Sequence, residues 1–138
     1  MISSTLSVIP DSKLVIPCLA VSIRFRISKF CNSKFAVALN SGTDALTLAM
    51  HVCGVRRGDE VITTPNSFIA STATIVHLGA KPIFVDVLND QNIDPKKIER
   101  VISKKTKCIM PVHLTGRMAD MKSIVSIAKK YKFRSRKK

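Results

Sequence analysis

The chain has 138 residues, a formal net charge of +14 and a hydrophobic fraction of 46%. This length fits one domain, and the apolar fraction is large enough for a core, which excludes the disordered and fibrous classes. No apolar run reaches the length of a membrane-spanning helix. The positive charge lies mainly at the two ends, because residues 1–34 carry +4, residues 35–131 carry +5 and the last seven residues carry +5.

The cysteine pattern argues against a metal site. The chain has four cysteines with no CxxC pair and no histidine at zinc-finger spacing. They are Cys18, Cys31, Cys53 and Cys108. We expect no metal here, and we expect these residues to be buried free thiols in a reducing cytoplasm.

Residues 1–29 carry no pattern that predicts an element, but a regular alternation of strands and helices begins soon afterwards. Ser41-Gly42-Thr43 is predicted to turn the chain from a first strand into a first helix, which Gly54 ends. In chain order, the first four predicted elements are a strand over Phe35–Leu39, a helix from about Asp44 to Cys53, a strand over Glu60–Thr63 and a helix from a cap at Asn66 or Ser67 to about Leu78.

The alternation continues to the end of the regular region. Asp94-Pro95 is predicted to be a cap followed by proline at the first helical position. The last four predicted elements are a buried strand over Pro82–Val87, a helix from Pro95 to about Lys104, a strand over Lys107–Val112 and a helix over Met118–Tyr131. Repeated strand and helix units of this length predict an α/β fold, with a mostly parallel sheet and helices on both faces.

Parallel sheets bind ligands at the carboxyl ends of their strands, and the first such loop is Asn40-Ser41-Gly42-Thr43-Asp44. Glycine allows the backbone close to an anion, and the amide groups at a helix start point towards it. A phosphate is the ligand that this loop favours. The alternative is that Ser41 and Thr43 only cap the helix.

Two further loops follow predicted strands. In Thr64-Pro65-Asn66-Ser67-Phe68 the aromatic ring of Phe68 could stack on a planar ligand, although core packing is the more common role of such a residue. In the loop from His113 to Arg117, we expect His113 to be a hydrogen-bonded structural residue.

Together, five segments resemble the DegT/DnrJ/StrS family of pyridoxal-phosphate-dependent aminotransferases, which act on nucleotide-linked keto sugars. Their order and spacing match over about Phe30 to Tyr131. The segments are Phe35-Ala-Val-Ala-Leu-Asn-Ser-Gly-Thr-Asp-Ala-Leu46, Gly58-Asp-Glu-Val-Ile-Thr63, Pro65 with Phe68-Ile-Ala70, Gly79-Ala-Lys-Pro-Ile-Phe-Val-Asp86, and Pro111-Val-His-Leu-Thr-Gly-Arg117 with Ala119-Asp-Met121.

The resemblance implies a fold, a cofactor and a set of partners. It implies part of the large domain of the aspartate-aminotransferase fold over residues 30–131, between a segment 1–29 without pattern and a basic tail 132–138. It also implies that Gly42, Thr43 and the Asp44 amide hold the phosphate of pyridoxal phosphate, and that Phe68 stacks on its ring. The partners implied are a nucleotide-sugar substrate, an amino donor such as glutamate and a second subunit of a homodimer.

Two functional groups of the family have no counterpart in this sequence. In the family, the helix matching Met118–Tyr131 is followed by an aspartate that binds the pyridine nitrogen and later by the Schiff-base lysine. After Tyr131 this sequence reads Lys132-Phe-Arg-Ser-Arg-Lys-Lys138. We therefore assign no catalytic residue and expect this chain alone to be an inactive N-terminal fragment of the enzyme.

Two other interpretations compete with this one. A small basic nucleic-acid-binding α/β protein is suggested by the isoelectric point of about 10.1, but residues 35–131 carry only +5 and lack basic residues interleaved with exposed aromatic residues. A nucleotide-binding domain of other ancestry is disfavoured because no glycine-rich dinucleotide loop is present. We expect no membrane and no nucleic-acid partner.

Overall fold

A computed structural model describes residues 22–133 of the chain. The chain divides into two compact units, Met1–Asn40 and Ser41–Lys138. In the first unit the described residues begin with helix α1, over residues 22–30. The amide of Cys31 donates to the carbonyl oxygen of Ile27 at 2.9 Å and closes the last turn of α1. Most of the segment 1–29 and the tail beyond Phe133 lie outside the described residues, and the predicted domain limits stay a prediction.

Residues 35–39 do not form the first predicted strand. A strand forms only where a neighbouring backbone pairs with its N–H and C=O groups, and no segment within residues 22–133 pairs with this one. Phe35 and Val37 are each 75% exposed. The prediction of a strand over Phe35–Leu39 is therefore wrong for the described chain.

A three-stranded parallel sheet forms the centre of the second unit. Its strands are β1 (Glu60–Thr63), β2 (Lys81–Phe84) and β3 (Thr106–Ile109), in the order β2-β1-β3. Ile62 of β1 lies opposite Ile83 on one side and Ile109 on the other. Because β1 is central, its Val61, Ile62 and Thr63 are completely buried, as expected for a strand covered on both faces.

Helices cover both faces of this sheet. They are α2 (Gly42–Val52), α3 (Ala70–His77), α4 (Pro95–Ile98) and α5 (Met121–Lys130). Val61 packs into a cluster with residues of α2 and α3, including Met50 and Ile75. The next residue, Ile62, packs into a second cluster with residues of α4 and α5, including Ile98 and Ile124. Successive strand residues point to opposite faces, so two adjacent residues anchor two separate cores.

The strand limits differ from the predictions mainly at the third predicted strand. The strand over Glu60–Thr63 has the predicted limits, and β3 is shorter than Lys107–Val112 at its C-terminal end. Strand β2 ends at Phe84 and is an edge strand of the described sheet, so Lys81 and Phe84 are exposed. The prediction of a fully buried strand over Pro82–Val87 is therefore wrong, because burial depends on a neighbour that sequence alone does not specify.

The two helices on the first face start at different places from those predicted. Helix α2 begins at Gly42, two residues before the predicted start, because Ser41 occupies the capping position and its Oγ accepts from the Asp44 amide. Helix α3 begins only at Ala70, with Ile69 at its cap and no side-chain capping bond. Asn66 instead donates from Nδ2 to Gln91 Oε1 at 3.0 Å, so the predicted cap at Asn66 or Ser67 is wrong.

The helices on the second face are shorter than predicted. Asp94 caps α4 as expected, accepting from the Lys96 amide at 2.9 Å, but the α-helix ends at Ile98 and continues as a 3-10 turn over Glu99–Val101. Helix α5 begins at Met121 rather than Met118, because Asp120 is its cap.

The cysteines are only partly buried, which corrects one expectation. Cys31 is exposed, Cys53 and Cys108 are half-buried, and all three are free thiols. Burial raises the pKa of the Cys108 thiol to about 12, which keeps it protonated and inert at neutral pH. Cys18 lies outside the described residues.

The cap of α5 gives a testable pH dependence. Asp120 accepts from the amide and the hydroxyl of Ser123, and these hydrogen bonds hold the pKa of its carboxyl below the ordinary value. Because the folded-state pKa is depressed, this stabilisation is present above the unfolded-state pKa and is lost as the pH falls through the folded value. We expect Asp120→Ala to lower the melting temperature at pH 7. When the pH falls, the melting temperature of this variant should decrease less than that of the original chain.

The matched control is Asp120→Asn, which keeps a capping side chain but cannot titrate in this range. We expect it to retain most of the neutral-pH stability. Thermal melts at pH 7 and pH 3 followed by circular dichroism make the comparison. Identical melting curves for Asp120→Ala and the original chain at pH 7 would contradict the capping role.

Candidate functional site

The first turn of α2 has two backbone donors that no residue within 22–133 uses. The Asp44 amide donates to Ser41 Oγ and the Ala45 amide donates to the Ser41 carbonyl oxygen, each at 3.1 Å. The amides of Gly42 and Thr43 make no hydrogen bond to any residue that the structure describes. Free amides at a helix start carry partial positive charge and favour an anion.

The space around this turn is open. A Cβ atom placed on Gly42 would have no heavy atom within 4 Å, and residues 41–45 are all exposed. A negatively charged group can therefore approach the two free amides. The Asp44 amide, by contrast, is already satisfied by Ser41, so both interpretations of this loop hold in part: Ser41 caps the helix, and Gly42 and Thr43 remain available.

A cavity of about 290 Å³ lies between α2 and α3, beside this turn. It is lined by Thr43, Asp44, Thr47, Ala73, Thr74 and His77. The hydroxyl of Thr47 donates to the Thr43 carbonyl oxygen and that of Thr74 to the Ala70 carbonyl oxygen. Sequence reasoning missed the residues beyond Asp44, because a polar residue in mid-helix gives no signal of which cavity it faces.

Phe68 lies in the loop between β1 and α3, two residues before α3 begins. Its side chain is 76% exposed, so it does not pack into the core that the described residues form. Helix α2 packs along α3, so the two elements next to the Gly42 turn and the Phe68 loop are neighbours. An exposed aromatic ring at a strand end can stack on a planar ligand.

The remaining strand-end loops are tied together by a buried asparagine, Asn92, which sequence reasoning missed. Its Oδ1 accepts from the Leu114 amide at 3.1 Å, and its Nδ2 donates to the Arg117 carbonyl oxygen at 3.3 Å. The Nδ2 group also donates to Asp90 Oδ2 at 3.1 Å. Asn92 is only 1% exposed, so it links the loop after β2 to the loop after β3.

His113 has the structural role expected for it. Its Nδ1 accepts from the Ala119 amide at 3.1 Å. This bond fixes the loop between β3 and α5, and leaves no reason to assign His113 to a ligand. Within residues 22–133, no three His, Cys, Asp or Glu side chains come together in a way that could bind a metal ion.

Comparison with known proteins places these features in a family. The sequence profile described as the DegT/DnrJ/EryC1/StrS aminotransferase family matches residues 23–134. A spore coat polysaccharide biosynthesis protein, SpsC, from Bacillus subtilis is 45% identical over 103 residues, covering 74% of this chain and 26% of that protein. A dTDP-3-amino-3,6-dideoxy-alpha-D-galactopyranose transaminase from Aneurinibacillus thermoaerophilus is 45% identical over 107 residues, covering 77% of this chain and 30% of that protein.

Solved structures agree with the sequence matches. The structure of NtdA from Bacillus subtilis, with the bound cofactor PMP, superposes with a TM-score of 0.81 at 38% identity, over 83% of this chain and 26% of that one. DesV of S. venezuelae, solved in complex with a ketimine intermediate, gives a TM-score of 0.80 at 34% identity, over 83% of this chain and 31% of that one. The chain thus spans between about a quarter and a third of the length of these four proteins.

The predicted fold class is confirmed by these structures. The α/β architecture with a parallel sheet is part of the large domain of pyridoxal-phosphate-dependent aminotransferases. A separate observation concerns membranes: among residues 22–133, no helix combines the length and the apolar character needed to cross a bilayer.

Proposed function

This chain belongs to the DegT/DnrJ/EryC1/StrS aminotransferase family, and on that premise we propose that it carries the phosphate-binding part of a sugar aminotransferase. The observation that supports this most directly is the pair of free amides at Gly42 and Thr43, at the start of α2. The family depends on pyridoxal phosphate. An anion-binding helix start is what the phosphate of that cofactor needs.

The residues present fit the cofactor. The open space at Gly42 admits a phosphate oxygen to the two amides, and the Thr43 hydroxyl is a third potential donor. The exposed ring of Phe68 is available to stack on the pyridine ring. We therefore assign Gly42, Thr43 and Phe68 to cofactor binding. The Asp44 amide could join them only by giving up its hydrogen bond to Ser41 Oγ.

The reaction follows from the family rather than from this chain. When bound, the cofactor acts as an electron sink for amino transfer. The part of this chain that we describe would bind the phosphate and orient the ring, and we assign no residue of it to proton transfer. We propose that the whole protein transfers an amino group from a donor such as glutamate to a nucleotide-linked keto sugar, as a homodimer.

We also propose a cytoplasmic location. The three described cysteines are free thiols, and one of them, Cys31, is exposed. Free thiols persist in a reducing compartment, whereas an oxidising one favours disulfides.

The phosphate site is tested by Gly42→Val and Thr43→Ala. Because a Cβ at Gly42 would have no described heavy atom within 4 Å apart from its chain neighbours and its own helix backbone, valine should be tolerated by the fold and yet occupy the space beside the free amides. Thr43→Ala removes a donor worth about 1.5 kcal/mol to a charged oxygen, or roughly tenfold in dissociation constant. We expect both variants to bind pyridoxal phosphate more weakly than the original chain.

The measurement is an absorbance titration with pyridoxal phosphate and, in parallel, with pyridoxal. Surface lysines react with both aldehydes, whereas only the phosphate cradle distinguishes them. Thr72→Ala, at a half-buried threonine on α3, is the matched control. If the preference for the phosphorylated aldehyde is the same in all four proteins, Gly42 and Thr43 do not bind the phosphate.

A further inference from the structure

A segment that follows β2 crosses the carboxyl end of the sheet. The strand order is β2-β1-β3, so β1 separates β2 from β3. The buried Asn92, which follows β2, nevertheless bonds to Leu114 and Arg117 in the loop after β3. The segment that contains Asn92 therefore passes over the end of β1, where the loop that carries Phe68 begins.

This segment, residues 88–92, is a closed turn that is anchored in the core. The Leu88 amide donates to the Asn92 carbonyl oxygen at 2.9 Å, and the Gln91 amide donates to the Leu88 carbonyl oxygen at 2.8 Å. Directly after the turn, Ile93 is completely buried, and Asn92 is only 1% exposed. The backbone of the turn is thus held by the core, and the turn carries Gln91 over the sheet edge.

The side chain of Gln91 reaches from this turn to the loop of Phe68. Its Oε1 accepts from Asn66 Nδ2 at 3.0 Å, and Asn66 is two residues before Phe68. Within the described part of the chain, the other hydrogen bonds of residues 65–69 join them to one another, to Thr64 or to helix α3. The bond to Gln91 is therefore the one described hydrogen bond that ties the middle of this loop to a different part of the fold.

The backbone of Gln91 indicates that its side chain has a use. Gln91 has a φ of 68°, in the left-handed region that glycine adopts without strain and glutamine does not. Such residues persist only where the surrounding structure holds them, and they cluster at functional sites. Glycine would form this turn with less strain, but it has no side chain that bonds to Asn66.

We propose that Gln91 is a positioning residue for the candidate cofactor site, and that it acts through Asn66 by holding the loop that presents the ring of Phe68. This inference rests on the proposed function, since it takes over the stacking role of Phe68. The ring is 76% exposed, so packing against the described core does not hold it. Fixing the loop before the ligand arrives lowers the entropic cost of binding, and this raises the affinity for the ring rather than for the phosphate.

The mobility of the loop is measured without any ligand, as the order parameter of the Phe68 amide from nitrogen relaxation in NMR. We expect this order parameter to fall in Gln91→Gly and in Asn66→Ala, from the value of a rigid backbone, about 0.85, towards that of a flexible loop, below about 0.6. Gln91→Glu keeps an oxygen that accepts from Asn66 Nδ2, so it should keep the order parameter of the original chain.

The effect on the cofactor site is measured by calorimetric titration with pyridoxamine phosphate, which has no aldehyde to react with lysines, and with inorganic phosphate, which has no ring. We expect Gln91→Gly and Asn66→Ala to raise the dissociation constant for pyridoxamine phosphate about twofold to threefold, the effect of one exposed neutral hydrogen bond. The dissociation constant for inorganic phosphate should not change. Gln91→Gly should melt no lower than the original chain, because glycine removes the backbone strain, so a loss of stability would not account for the weaker binding.

The matched control is Lys132→Gly. Lys132 follows the end of α5 and also has a left-handed backbone, with a φ of 55°. The change removes the same kind of strain at a residue that has no bond to the Phe68 loop within the described chain. We expect both the Phe68 order parameter and the preference for pyridoxamine phosphate over inorganic phosphate to match those of the original chain.

Three distinct results would overturn the proposal. An unchanged Phe68 order parameter in both Gln91→Gly and Asn66→Ala would show that their bond does not hold the loop. A more mobile loop with unchanged affinity for pyridoxamine phosphate, where Phe68→Ala binds more weakly, would show that the position of the loop does not matter for the ligand. Unchanged binding by Phe68→Ala would instead remove the proposed stacking role itself, on which this inference rests.

Discussion

Asn92→Ala is expected to destabilise the second unit by about 2–4 kcal/mol. The change leaves the Leu114 amide without its acceptor and the Arg117 carbonyl oxygen without its donor. A buried polar group that loses its partner costs about 1–3 kcal/mol. Leu114 is half-buried and Arg117 is exposed, so each of these two losses lies towards the lower end of that range, and the bond from Asn92 to Asp90 is lost as well. Because Asn92 joins the loop after β2 to the loop after β3, we also expect the Leu114 amide to exchange with solvent faster than the amides of β1.

Urea denaturation and amide hydrogen exchange measure the two effects. Asn66→Ala is the control, because the side chain of Asn66 is exposed and makes one bond to Gln91. That change should lower the free energy of unfolding by less than about 0.5 kcal/mol, as is usual for substitutions at the protein surface. Equal costs for the two variants would show that the Asn92 bonds do not connect the loops.

Ile62→Ala is expected to lower the free energy of unfolding by about 2–5 kcal/mol, the range for removing three carbon atoms from a packed core. Ile62 is completely buried in the central strand and packs against Val85, Ile93 and Ile98. The cluster has helices on its far side, so it cannot collapse easily into the cavity that the change would leave. Relaxation of the surrounding residues should therefore recover little of the lost stability.

The control is Ile69→Ala, at an isoleucine that is 68% exposed. It removes the same atoms from a residue with little buried surface, and the cost should be below about 0.5 kcal/mol. Urea denaturation of the two variants gives the comparison. A cost for Ile62→Ala as small as that for Ile69→Ala would mean that the cluster around β1 is not packed as described.

The sequence alone determined the class of fold and the candidate phosphate site. Local chemistry was enough for these, since Ser41 and Asp94 are caps by residue type and the run from Glu60 to Thr63 is apolar and β-branched. Gly42, at the start of α2, was also recognisable from local chemistry alone. The role of Gly42 depends on its own backbone and its immediate neighbours.

The tertiary structure decided the features that depend on residues distant in sequence. Residues 35–39 have the composition of a strand but no described neighbour to pair with, and β2 is exposed because it lies at an edge. Asn92 bonds to residues 22 and 25 positions away in the sequence. Strand pairing, burial and long-range hydrogen bonds depend on segments that meet only in the folded chain, so a local sequence pattern cannot specify them.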